Sequence, residues 1–174
     1  MKKTFQKIEK FEDTADSLEA DIADYLLKVS EGELSGTGSI RVRSMLSIVG
    51  DLESICDILS QMSRNFERKN NEKAWFTPEQ RKNLKDMFDI VNQATQVMVQ
   101  NLEKEYDAVD IKFAMDIEER INKLRNSLRK EHLKSMEHGD YNFNSGMIYT
   151  DLFQSLEKIG DNIIGVQEAI KGKV

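Results

Sequence analysis

Four segments of the chain place an acid, three spacer residues, then an acid or its amide: Glu12/Asp16, Glu53/Asp57, Glu118/Asn122 and Glu157/Asp161. On a helix, residues at this spacing lie on one face, a turn apart. Like charges so placed repel by about a few tenths of a kcal/mol when exposed. A denser cluster of carboxylates raises its own pKa values unless cations occupy it. Oxygen-rich clusters suit hard or borderline cations such as Mg, Ca, Mn or Fe. On a helical wheel Glu53 and Asp57 lie roughly 100–140° from Leu52. The other three pairs sit similarly, on the flank of their apolar stripes. There, carboxylates of neighbouring antiparallel helices can face each other across a groove. The bland reading stands beside this one. Charged residues make up 32 % of the chain, so the spacing also arises by chance, and Glu9/Asp13 has it too.

Helices must position these residues, and the apolar periodicity predicts five. The first runs from about Thr4 to Ser30, with Ile8, Phe11, Ala15, Leu18, Ile22, Leu26 and Val29 on one face. Three glycines between Glu31 and Gly38 make a loop. The second helix spans about Ser39 to Arg68, and Lys69–Lys73 reads as a polar connector. Thr77, Pro78 and Gln80 then form a capping-box start for the third. A tight reversal at Tyr106-Asp107 leads to the fourth helix, about Val109 to Met136. The alternative, one unbroken helix of ~60 residues, would be about 90 Å long, too long for a compact domain of this size. The fifth helix spans about Asn144 to Ile170.

The four motifs fall into two copies, with corresponding residues roughly 105 positions apart. Glu12, Asp16, Leu18 and Ile22 align with Glu118, Asn122, Leu124 and Leu128. Met45, Ile48, Val49, Leu52, Glu53, Ile55 and Asp57 align with Tyr149, Leu152, Phe153, Leu156, Glu157, Ile159 and Asp161. Gly32 corresponds to Gly139. Repeat one covers about residues 4–68 and repeat two about residues 77–171 of a single domain, 1–174. The third helix has no counterpart before the first, so the first helix of copy one is read as missing, as in a chain cut from a longer protein.

Composition narrows the function classes. A net charge of −6 without a basic block argues against nucleic acid. The apolar runs are far shorter than the ~20 residues of a membrane span, and no apolar leader follows Met1-Lys2-Lys3. The lone Cys56 fits a reducing cytoplasm and reads as a buried, inert thiol. Neither His132 nor His138 has an acid three residues before it, so the Glu-x-x-His pattern of di-iron bundles is absent, and both read as surface residues of a helix end. Trp75 and Phe76 read as a hydrophobic plug at the loop. No phosphate loop or catalytic triad signature is present.

Leu52-Glu53-Ser54-Ile55-Cys56-Asp57 and Leu156-Glu157-Lys158-Ile159-Gly160-Asp161 resemble the PhoU family of phosphate-regulatory proteins. Asp16-Ser17-Leu18 and Asn122-Lys123-Leu124 are similar to that family's other motif. With Tyr149-Thr150-Asp151-Leu152-Phe153 and the five-helix length, the chain looks most like the soluble C-terminal domain of bacterial sodium/phosphate cotransporter-like proteins. The departures are Asn122 in place of an acid, Ser54 and Lys158 in place of an arginine, and one absent helix. The resemblance implies an all-α antiparallel bundle built from a three-helix repeat. It implies a non-enzymatic, cytoplasmic regulatory domain of phosphate uptake, tethered to the membrane when part of a longer protein. Its partner would be the transporter portion, another uptake component or a second copy. Glu12, Asp16, Glu53, Asp57, Glu118, Asn122, Glu157 and Asp161 would be metal ligands, for Fe, Mn, Zn or Mg. Asn122 weakens the second site, so the first copy is the expected holder of a surviving one. The alternative is a helical scaffold or dimerisation module with no metal. A hydrolase lacks an identifiable base.

Overall fold

The computed structural model describes residues 2–105 and 108–174. Five helices and no strand occur among the described residues: α1 (Lys2–Ser30), α2 (Gly36–Asn71), α3 (Pro78–Leu102), α4 (Lys112–His138) and α5 (Phe143–Ile170). The all-α fold class expected from the sequence is therefore the fold observed. The reversal expected at Tyr106-Asp107 lies outside the described residues. The flanking helices end at Leu102 and begin at Lys112, so a single unbroken helix is excluded.

Side-chain caps set the helix starts. Thr77 Oγ1 accepts the Gln80 N–H at 3.1 Å, and Gln80 Oε1 accepts the Thr77 N–H at 3.0 Å. These two bonds satisfy donors that a helix start otherwise leaves orphaned. Asn142 caps α5 in the same manner, accepting the Ser145 N–H at 2.8 Å. Ser35 accepts the Gly38 N–H at 3.1 Å, so α2 begins three residues before the Ser39 start read from the sequence.

The expected polar connector Lys69–Lys73 is largely helical, because α2 continues to Asn71. Arg68 pairs with Glu72 one turn on, at 3.0 Å. The stop comes at Lys73, which takes a left-handed φ of 52°, and the Ala74 N–H closes back on the Lys69 carbonyl at 2.9 Å. Gly139 ends α4 with φ 73°, whereas its aligned partner Gly32 has no positive φ. The two loops match in position and differ in conformation.

α5 is the centre of the molecule and packs against α2, α3 and α4. Its inward residues Leu152, Phe153, Leu156, Ile159, Ile163 and Val166 are all buried. α3 runs parallel to α5, since Asn83 donates to Tyr149 near one end and Asn101 donates to Gln167 at 2.8 Å near the other. α4 runs antiparallel to both, with Arg125 meeting Glu157, the His132 ring tilted beside Tyr149, and Arg120 donating to Gln93. α2 is antiparallel to α5. Asp51 lies against Gly165, where a Cβ would sit 2.6 Å from its Oδ2, and Gln61 shares a cleft with Ser155. α1 packs along α2.

The apolar stripe expected on one face of α1 is largely uncovered. Only Leu26 of that stripe is buried, while Phe11, Leu18, Ile22 and Val29 are exposed. Met45 and Leu59 of α2 are exposed as well. The expected plug at residues 75–76 is half right: Phe76 is buried and Trp75 is exposed.

Candidate functional site

The eight motif residues do not form two separate pockets. They form one row across α1, α2, α5 and α4. On the α1/α2 side, Asp16, Asp57 and Glu19 act on Glu53, and Glu12 and Asp16 act on Cys56. Asp57 and Asp161 line one polar cleft of about 400 Å³ between α2 and α5, together with Gln61, Lys158 and Asn162. On the α4/α5 side, Asp161, Arg125 and Glu118 act on Glu157. Flank positions on four packed helices place the acids at successive helix–helix seams.

The two ends of the row differ in chemistry. At the second-copy end, Arg125 donates to Glu157 at 2.6 Å, with both side chains mostly buried. Burial raises the Glu157 pKa, Asp161 raises it further, and Arg125 opposes both. The Asn122 amide donates to Glu118, so that carboxylate also has an internal partner. Here the protein's own guanidinium supplies positive charge to Glu157.

At the first-copy end, burial raises the Glu53 pKa, and Asp16, Asp57 and Glu19 add to the rise, while the Ser54 hydroxyl relieves it in part. No lysine or arginine is among the charges acting on Glu53. The contrast has a counterpart in the repeat. At the offset that pairs Asp16 with Asn122, Arg125 pairs with Glu19. Copy two carries its counter-cation where copy one carries a further acid. Sequence reading missed both residues because neither belongs to the acid-spacer-acid pattern. The signal was present three residues beyond the second motif residue, Asp16 in α1 and Asn122 in α4.

In charge, the first-copy set fits a cation; in closure, it does not fit a fully coordinated one. Among the described residues, no three His, Cys, Asp or Glu side chains converge as a metal-binding group. A hydrated ion held by one or two carboxylates, the usual state of Mg, needs no such convergence.

Cys56 is half-buried, and its thiol is pushed up by burial and then by Glu53, Asp16 and Glu12. This suppresses thiolate formation and agrees with an unreactive thiol. His132 departs from the expected surface histidine. It is half-buried, stacked on Tyr141 with Nδ1 2.7 Å from the Tyr141 hydroxyl, and burial lowers its pKa. With Gln80 and Tyr149 it walls a cavity of about 550 Å³ at the end of α3, α4 and α5. Tyr149 is buried deeply enough that its pKa is pushed up to about 12. His138 is exposed, as expected from the sequence.

The chain matches no family model, no curated protein and no solved structure in comparisons with known proteins. No helix among the described residues is long and apolar enough to cross a membrane.

Proposed function

We propose that this chain is a non-enzymatic regulatory domain that takes up a hydrated cation at the first-copy end of its acidic row. Glu53 and Asp57 would hold the ion, with Asp16, Glu12 and Glu19 adding negative charge. The supporting observation is the pairing of Glu19 with Arg125 in the repeat. One acid cluster has an internal guanidinium, and the equivalent cluster has an extra carboxylate acting on Glu53 instead. Unbalanced like charge at a partly buried seam favours uptake of a cation. A link to phosphate transport, and a transporter or uptake component as partner, rest on the resemblance to the PhoU family. A cytoplasmic location belongs to the same proposal.

Calorimetric titration of chelator-stripped protein with Mn, Fe, Zn and Mg tests the cation claim. Binding in the wild type that is lost in Glu53→Ala/Asp57→Ala supports it; no binding to any of the four sinks it.

A second reading, a scaffold whose acids are solvated, is favoured by the exposed apolar stripe of α1. Large exposed apolar patches mark interfaces. On this reading, replacing the acids by Gln and Asn leaves the domain's function intact.

A further inference from the structure

The repeat identifies what the exposed face of α1 and α2 lacks. In copy two, α3 packs on α4 and α5. Three positions buried in copy two are exposed in copy one: Ile117 (0 %) against Phe11 (57 %), Leu128 (1 %) against Ile22 (37 %), Tyr149 (3 %) against Met45 (39 %). Leu18, a turn from Ile22 on α1, is 54 % exposed, and Leu59 of α2, in an apolar groove with Phe5 and Ile8 of α1, is 42 % exposed. The polar anchors of α3 are also changed. Tyr149 and Gln167, which bond Asn83 and Asn101, correspond to Met45 and Ser63. The copy-one face is therefore suited to an apolar helix stripe rather than to a copy of α3.

We propose that α1 of a second copy covers this face, the two chains pairing about a two-fold axis through their α1 helices. Polarity supports this occupant. α3 is antiparallel to α4 and parallel to α5. α1 is antiparallel to α2, with Ile8 beside Met62 and Asp16 beside Glu53. A two-fold axis across α1 therefore makes the incoming α1 antiparallel to α1 and parallel to α2, the same relation. Length agrees as well, 29 residues in α1 against 25 in α3. The exposed stripe is self-complementary. With Leu18 on the axis, Phe11 of one copy reaches the partner's Tyr25, both now exposed. The apolar surface available is roughly 600 Å² per copy, so about 1,200 Å² for the pair, the lower bound of a stable specific interface. Self-pairing of one patch is the usual closed arrangement of homodimers.

Sedimentation analysis of the whole chain, from low micromolar to sub-millimolar concentration, tests this. The wild type should shift from monomer to dimer mass. Leu18→Lys should stay monomeric at every concentration, with helicity and melting temperature unchanged because Leu18 already faces solvent. In a Cys56→Ala background, Leu18→Cys should form a disulfide-linked dimer under mild oxidation, since the two residues would meet at the axis. A wild type that remains monomeric, a dimer that survives Leu18→Lys, or a dimer that Leu18→Cys fails to cross-link each overturns the proposal. Monomeric protein that binds an added peptide of residues 77–102 would assign the face to a separate helix, and so would also overturn it.

Discussion

Arg125 of α4 donates to Glu157 of α5 at 2.6 Å, and the residue aligned with Arg125 in the first copy is Glu19. One exchange of charge sign divides a repeated acidic constellation into two chemical states. The second copy carries a partial counter-charge of its own, Arg125. The first is left with carboxylates from α1 and α2 acting on one another.

Removing the internal cation should be costly. Arg125→Gln leaves Glu157 desolvated beside Asp161 without its partner. Breaking a fully buried pair costs roughly 3–5 kcal/mol, and this pair is partly open to water, so about 1–3 kcal/mol is expected. Adding Glu157→Gln should recover part of the loss, because the orphaned charge is then gone. Urea unfolding of the single and double variants measures both. Equal stability of wild type and Arg125→Gln would show that the pair contributes nothing.

Stability should rise as the pH falls from neutral toward mild acid. Burial raises the pKa of Asp51, Glu53 and Glu157 above ordinary carboxylate values. Each of these groups then binds its proton more tightly when folded than when unfolded. Between the unfolded and folded pKa values the native state carries more protons, so stability falls as pH rises through that window. The window opens at about pH 4–4.5 and extends upward. Thermal melts at a series of pH values should give the higher melting temperature below neutrality. Glu53→Gln should flatten the slope, and a melting temperature that rises steadily with pH would contradict the sign.

Two glycines in helices should respond oppositely to alanine. A Cβ at Gly146 would meet Met136 Sδ at 2.8 Å and ring carbons of His132 and Tyr141 at 3.1 Å. Gly146→Ala should destabilise by about 1–3 kcal/mol through overpacking. A Cβ at Gly50 meets nothing within 4 Å. Gly50→Ala should stabilise by roughly 0.5–1 kcal/mol, because the unfolded chain loses freedom. Denaturant midpoints decide both. A neutral Gly146→Ala would mean that the His132–Tyr141 stack moves aside freely.

Local chemistry was the most legible part of the fold. Thr77, Pro78 and Gln80 announce the start of α3. That signal acts within one turn, so neighbours in space do not alter it, whereas the Asn142 cap of α5 went unread, its start expected at about Asn144. The end of α2 was hidden because Lys69–Lys73 is polar throughout and polarity alone does not stop a helix. The helix runs past Arg68 to Asn71 before Lys73 turns the chain. The stripe of α1 was legible as a pattern but not as a buried face. Periodicity gives the direction of an apolar face and says nothing of whether a neighbour lies against it. For the site, the four motifs were visible, but their joining into one row follows from α2 and α5 packing side by side. Arg125 was visible only as a charge in a highly charged helix. Its meaning depends on Glu157, which lies 32 positions away in the chain.

The claim that the first-copy cluster takes its cation from solution, where the second carries its own, is tested most directly at residue 19. Chelator-stripped wild type and Glu19→Arg should be titrated with Mn side by side in the calorimeter. The wild type should bind, and Glu19→Arg should show no binding, with a raised melting temperature in the metal-free state. Equal binding by the two proteins, or no heat from the wild type, would contradict the account.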